Sequence, residues 1–521
     1  MSGKNENTLS RRGFLRNLAI GTLGAGVATL PGCSHLLQQA SQKKMNVLFI
    51  PVDDLNTTLN CYGASHIHSP NIDRLASEGL LFKRTYCQLA VCGPSRTSLL
   101  TGTRPENNGV MDLKTHFRDT LGDEVITLPQ QFKNHGYYTR SFSKVFHPTK
   151  DDPRSWSEES WWSQYPDKFN YRVPEIDDVL NAEFAQFISD NAQELKDLPE
   201  EEQFNRFRRK FRGPSWGAPE VEDDQLADGE CAVEVIKALE TVGDKPFFFA
   251  AGLRKPHLPW VAPKKYYDLY PLESIKLPDN QSMPTDAPEA AGFNWGELRK
   301  YRDIPQEGPV SDEQARELIR AYYACISYID AQLGKMLDAL ESQGLRDNTM
   351  VILWGDHGYH LLEHGIWCKH TNFEESAQSP MIISVPGMKS AGQTTMALTE
   401  FVDIYPTLCD LAGIPKPKHI EGSSYKPLLD NPEMEWKSAA FTVYPRKIKG
   451  VGVVMGISMR TARYRYCEWR NDEAGYLERE LYDHTNDPGE NVNIANLPDN
   501  KTLVEKLAAM LNAGWRGAVP S

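Results

Sequence analysis

The chain has 521 residues, a formal net charge of −13, 40% hydrophobic and 24% charged residues. That length exceeds one simple core, so a large domain with a smaller companion is expected. The acidic balance argues against nucleic acid or an anionic membrane as the main partner, and a polyanionic ligand would need a local basic pocket.

The N-terminal stretch LSRRGFLRNLAIGTLGAGVATLPGC (9–33) pairs Arg11 and Arg12 with a weakly apolar run, the pattern of a twin-arginine export signal. The run is short and rich in Gly and Ala, a poor membrane span. Leu30-Pro31-Gly32-Cys33 looks like a lipoprotein cleavage box. Two outcomes stand: lipidation of Cys33 and a membrane anchor, or ordinary cleavage nearby and a soluble periplasmic protein. Residues 1–44 are set aside as leader and linker. The chain has nine cysteines; without Cys33 and Cys92 their number is odd and their spacing irregular, which is no disulfide framework.

MNVLFIPVDDL (45–55) is a short apolar run ending in two aspartates, which predicts a buried parallel strand with Asp53 and Asp54 at its C-terminal end. SPNIDRLASEGLLFKRTYC (69–87) predicts a helix and then a strand. After Pro94, SRTSLLTG predicts a helix with proline near its first position and glycine as the stop. Residues 150–225, charged and aromatic with Trp156, Trp161 and Trp162, break the rhythm and read as an insertion, either packing over the sheet edge or forming a sugar-stacking lid. PFFFAAGLRKPHLPW (246–260) is another strand entering a loop. Residues 313–345 carry apolar positions at helical spacing and form one long helix. TMVILWGDHGYH (349–360) repeats the strand-then-acid design with Asp356-His357, and PMIISVPG (380–387) is a further strand. Strands alternating with helices predict an α/β fold with a large, mostly parallel central sheet. The chain from 441 to 521 reads as a smaller, antiparallel C-terminal subdomain, and 45–440 as the catalytic domain.

In open α/β sheets ligands sit at the carboxyl ends of the strands. Four polar groups fall there: Asp53-Asp54, Lys144 with His147, His257, and Asp356-His357. Each alone reads as a turn or a cap; together, with Cys92 between them, they predict one site. Its chemistry suits hydrolysis of an anionic ester. Three aspartates and a flexible count of oxygens favour Ca²⁺ over Mg²⁺. His357, a softer donor, would contact the ion weakly or orient a neighbour. The start of the helix after Pro94 adds N–H groups facing negative charge.

Cys92-Gly-Pro-Ser-Arg96, followed by Thr-Ser-Leu-Leu-Thr-Gly, resembles the signature of type I sulfatases. KVFHP (144–148), KPHLPW (255–260), GDHGYHLLEHGIWCKHTNF (355–373) and FTVYP (441–445) resemble the iduronate-2-sulfatase branch, which also carries histidine where many sulfatases have asparagine after the last metal-binding aspartate. The similarity runs from about residue 45 to the C-terminus. It implies the alkaline-phosphatase-like sandwich with a C-terminal antiparallel sheet. It also implies that a separate maturation enzyme oxidises Cys92 to formylglycine, whose hydrated form attacks the sulfur with one oxygen and releases sulfate through the other.

By resemblance, Asp53, Asp54, Asp356, His357 and modified Cys92 form the metal set. Arg96 steadies the nucleophile, Lys144 and His147 flank it with His147 as base, and His257 and Lys369 hold the sulfate and protonate the leaving oxygen. Tyr359 is a candidate sugar contact. His360 and His364 are assigned structural or supporting places, and Trp260 and Cys368 the core. The implied activity is exo-acting hydrolysis of a sulfate ester on a sulfated glycan, in the periplasm or on a membrane anchor. The alternatives are a phosphodiesterase or phosphonate monoester hydrolase of the same superfamily, and a non-catalytic glycan-binding lipoprotein with unconverted Cys92.

Overall fold

A computed structural model describes residues 44–163, 174–199, 202–203, 206–207 and 213–520. Arg11, Arg12, Cys33 and parts of the 150–225 insertion lie outside them. From Lys44 onward the chain forms one compact unit. Short apolar runs become strands β1 (Asn46–Val52), β2 (Leu80–Phe82), β3 (Tyr138–Ser143), β4 (Phe247–Gly252), β5 (Thr349–Gly355), β6 (Met381–Ser384) and β7 (Gln393–Thr395), joined in the order β7-β2-β6-β5-β1-β4-β3. The central pairings β5-β1-β4-β3 are all parallel. Only β6 opposes the direction of the others among the described residues, being antiparallel to both neighbours, so the mostly parallel expectation holds.

Residues on β1 alternate between two cores, as the period of two requires. Leu48, Ile50 and Val52 face helices α1 (Pro70–Glu78), α4 (Ala227–Thr241) and α5 (Asp312–Ser342). Val47 and Phe49 face helices α2 (Cys92–Thr101), α3 (Leu128–Asn134) and α6 (Ile404–Ala412). The result is a three-layer sandwich. The long helix α5 begins at a Ser311 cap and buries an apolar stripe along its length.

The edge strand β3 is covered by the start of the insertion. Trp161 exchanges backbone bonds with Ser141 and Ser143, and Ser157 N–H donates to Thr139 O. Trp156 is buried in the core behind it. Trp161 therefore packs over the sheet edge, which also hides its unpaired backbone groups.

A four-stranded antiparallel sheet closes the chain: β8 (Ala439–Ile448), β9 (Gly452–Thr461), β10 (Tyr464–Asn471) and β11 (Tyr476–Asp483). One face packs on helix α7 (Lys501–Ala513) through Phe441, Met459, Leu507 and Leu511. The other face takes Ile366 and Phe373 from the loops after β5 into a shared core with Val454 and Trp469. This second sheet thus opens at Ala439 and belongs to the same compact unit as the first.

At the end of β4 the chain passes very close to the next strand. A Cβ on Gly252 would lie 2.2 Å from the Lys144 carbonyl oxygen. Backbone cannot yield as a flexible side chain would, so Gly252→Ala should destabilise the fold by about 1–3 kcal/mol and displace Lys144. Urea unfolding and kcat of the same sample check both effects.

Candidate active site

The four parallel strands at the sheet centre deliver their polar residues side by side. Asp356 follows β5, Asp53 and Asp54 follow β1, the His257 loop follows β4, and Lys144 follows β3. Asp54 takes a left-handed φ of 61°, its N–H donates to Asp356 Oδ1 at 3.0 Å, and its carbonyl accepts from the Tyr322 hydroxyl of α5 at 2.6 Å. These contacts turn the chain so that both aspartates face the same space.

Helix α2 begins at Cys92 itself, two residues before the predicted start. Pro94 lies within the first turn, where a missing N–H breaks no helical bond, and Ser95 N–H makes the first bond to Val91 O at 3.0 Å. Cys92 therefore opens the helix and does not precede it. Gly102, with φ of 69°, stops the helix as expected.

Ligand atoms of Asp53, Asp54 and Asp356 lie within 4.8 Å of one another, and so do those of Asp54, Cys92 and His357. His357 Nε2 is 3.5 Å from Cys92 Sγ and 3.5 Å from Asp54 Oδ1. Its Nδ1 lies 2.9 Å from the Gly358 carbonyl, to which only an N–H can donate, so it is Nε2 that faces the acids and whose lone pair a cation would take up in place of a proton. Three buried carboxylates, a thiol position and an imidazole lone pair in one space fit a divalent cation bound mainly through oxygen.

Cations surround this acid set. Arg96, fully buried, donates from Nε to Asp356 Oδ2 at 2.8 Å and from Nη2 to Asp53 Oδ1 at 3.2 Å. Its Nη1 holds the Lys144 and Val145 carbonyls, so its bonds run to the acids and the backbone around them. Lys144 Nζ bonds Asp53, and Lys369 Nζ bonds both oxygens of Asp54 at 2.9 and 3.0 Å. Burial alone would raise the Asp53 carboxyl; Lys144, His257 and Arg96 outweigh it and hold Asp53 well below the usual range. Asp356 is raised by burial, against His357 and Arg96.

The Cys92 thiol is pushed well above its ordinary value by burial and by Asp53. An unmodified cysteine here stays protonated and is a weak nucleophile. The eight described cysteines are all free, including Cys368, whose thiol is pushed up to about 12 by burial.

His147 is held down to about 3 by burial and the Lys144 cation, so at neutral pH it is an uncharged acceptor. His257 differs. Burial lowers it, yet Asp54 and Asp53 raise it above its ordinary value. Its Nδ1 lies 2.6 Å from Leu258 O and its Nε2 3.2 Å from Glu297 Oε1, the arrangement of an imidazolium donating twice.

Glu297 was not legible in the sequence as a functional residue. Its carboxylate stands 2.7 Å from Lys369 Nζ and 3.8 Å from His370 Nε2, besides His257. Burial would raise it; Lys369 and the two histidines hold it well below the usual carboxylate range. Lys369 itself sits between Cys368 and His370, whose φ values of 74° and 78° are left-handed, and this irregular loop aims its ammonium inward.

Tyr359, expected to touch a sugar, is a correction. It is 1% exposed, stacked on Tyr322 with ring centroids 5.5 Å apart and edge-on to Trp260. Asn56 Nδ2 donates to its backbone carbonyl at 3.1 Å, and the ring lies among core residues. Trp260 and Cys368 are core residues, as read from the sequence.

A family model described as Sulfatase matches residues 45–414, and one described as N-sulphoglucosamine sulphohydrolase, C-terminal, matches residues 362–515. Among curated proteins, iduronate 2-sulfatase of Mus musculus is 31% identical over 89% of this chain and 93% of its own length. The Homo sapiens protein of that name is 32% identical over 82% of this chain and 85% of its own, and a sulfatase of Formosa agariphila is 31% identical over 92% and 89%. Two solved structures share the fold at 23% identity and a TM-score of 0.69: an enzyme bound to its substrate D-glucosamine-2-N,6-O-disulfate, covering 91% of this chain and 98% of that one, and a phosphonate monoester hydrolase of Agrobacterium radiobacter, covering 90% and 95%.

Proposed function

The chain belongs to the sulfatase family, whose members are sulfuric ester hydrolases, and from that premise we propose that it removes an O-sulfate from the end of a sulfated glycan, with uronate 2-sulfate as the nearest analogue. The observation that carries this reading is the convergence of Cys92, three aspartates and His357 at the end of β1 and β5, ringed by Arg96, Lys144, His257 and Lys369. An acidic protein accepts a sulfate only where such local cations outweigh its field.

Asp53, Asp54, Asp356 and His357 would hold a divalent cation, Ca²⁺ on the donor set, which supplies positive charge where negative charge develops. Formylglycine at position 92 would supply the oxygen nucleophile that the buried thiol is not. Arg96 favours the ionised form of Asp53, works against the burial that raises Asp356, and holds both in place. Lys144 and Lys369 present ammonium groups to the sulfate oxygens. His147, uncharged, accepts a proton near position 92; His257, charged, donates one from Nε2 to the leaving alcohol oxygen.

Peptide mass spectrometry across Cys92 in protein from its native host tests the conversion, and a free thiol there would favour a glycan-binding role instead. Parallel turnover of a sulfate and a phosphate diester of one phenol tests the chemistry, and preference for the phosphate ester would favour the phosphonate-hydrolase reading. The leader supports export to the periplasm, with or without a lipid on Cys33, and fractionation with mass analysis of the mature N-terminus tests it.

His257→Ala should lower kcat by about 10²–10⁴-fold, the range for one positioned proton donor. A change of only a few-fold in steady-state kinetics would remove it from that role. Glu297→Gln removes the charge that favours the His257 imidazolium, so kcat should fall by about tenfold and its alkaline limb should move to lower pH. An unmoved pH profile, or a rise in kcat, would leave Glu297 as nothing more than an occupant of the anion seat.

A further inference from the structure

Behind the catalytic residues lies a second group of donors that the reaction does not use. His360 stands on a short strand, His360–Leu361, paired with Trp367–Cys368. His364 follows one turn later, with a left-handed φ of 57°, and Glu375 lies in the first turn of the helix Glu374–Ala377. One ligand atom from each of the three lies within 4.8 Å of the others. Both histidine rings are at most 1% exposed.

The tautomers of both rings follow from their other nitrogens. His364 Nε2 is 2.8 Å from the Gly489 carbonyl, which only accepts, so Nε2 carries the proton. His360 Nε2 is 3.0 Å from Thr371 Oγ1, whose own proton goes to Ser376 Oγ at 2.9 Å, so this nitrogen also donates. Each ring therefore keeps its lone pair on Nδ1. Neither Nδ1 has a hydrogen-bond partner, and neither does Glu375 Oε2. Buried acceptors are almost always paired, so three unpaired ones in one such cluster call for a missing partner, and a cation satisfies all three. The outer contacts, ring N–H groups held by a carbonyl and a hydroxyl, are those that orient ligating histidines.

We propose that His360, His364 and Glu375 form a second metal site, for a borderline divalent ion of the Zn²⁺ class. Two imidazoles and one carboxylate suit that ion and not Ca²⁺, which prefers oxygen alone. Burial holds His360 down to about 3 and keeps it in the neutral, ligating form. Burial and the neighbouring Glu490 and Glu363 raise Glu375 well above its usual value, a repulsion that a dication would relieve. The ion would clasp the hairpin that carries His357 and Lys369 to the turn at 374–377. The two segments already touch: a Cβ on Gly358 would lie 2.0 Å from the Glu375 carbonyl oxygen.

The test is a Co²⁺ titration of the full chain in excess Ca²⁺, read by visible absorption, with Zn²⁺ displacement. The proposal expects one Co²⁺ with the intense bands of a low-coordinate nitrogen–oxygen site, displaced by stoichiometric Zn²⁺. Glu375→Gln should weaken binding by at least about 100-fold, more than loss of an outer-shell partner, while Asp54→Asn should leave it unchanged. His364→Gln serves as the second variant if the first fails to fold. No Co²⁺ uptake in the wild-type protein, or uptake abolished by Asp54→Asn and indifferent to Glu375→Gln, would overturn the proposal.

Discussion

Cys92→Ala should leave a folded protein whose kcat for a sulfate ester is down by about 10⁴-fold or more, the scale of losing a nucleophile. Cys92 is buried and opens α2, and alanine removes one atom from a helix start that needs no side-chain cap. The unfolding free energy should therefore fall by no more than about 1–2 kcal/mol. The surrounding cations and acids stay, so substrate analogues should still bind. Turnover at saturating aryl sulfate, with calorimetry on the same sample, separates lost chemistry from lost fold. Retention of a tenth of the activity would remove position 92 from the reaction.

The largest effect on stability is expected at Arg96. Its guanidinium, wholly buried, bridges Asp53 and Asp356 while holding the backbone of residues 144 and 145. Breaking a buried pair strands the remaining charges, so Arg96→Ala should destabilise the protein by about 3–5 kcal/mol in a chelator, where no cation relieves the two carboxylates. Added Ca²⁺ should recover part of the loss. Arg96→Lys keeps the charge but not the planar fork and should fall between the two. Urea midpoints with and without Ca²⁺ give the answer, and equal midpoints for all three proteins would contradict it.

Much of this site is legible because local and global signals coincide. Beyond Asn46 the strand Asn46–Val52 is apolar, and two acids follow it, which is how a doubly covered strand meets a ligand. Thr349–Gly355 repeats the pattern. Other features depend on long-range contacts with no local mark. Glu297 sits in an irregular stretch between Gly296 and Leu298, and only the folded chain brings it against His257 and Lys369. Tyr359 adjoins the Asp356-His357 pair, and that adjacency says nothing of its direction; Tyr322 on α5 settles it by stacking. The helix start at Cys92 escaped because proline at the first position and proline within the first turn look alike in sequence. The antiparallel run of β6 is likewise a matter of partners, since a four-residue apolar strand carries no polarity of its own.

The contact between the C-terminal sheet and the Lys369 loop orders the birth of the pocket. Tyr444 of β8 bonds His370 Nδ1 at 3.0 Å, and Arg446 donates to the His370 carbonyl at 2.7 Å, beside Glu297. A nascent chain that has emerged only as far as β6 already owns every acid of the cluster, yet its Lys369 loop lacks the Tyr444 and Arg446 contacts to His370. The ribosome must deliver the last eighty or so residues before the anion seat acquires its final shape, so a chain stopped at Ser438 would carry the chemistry without the grip.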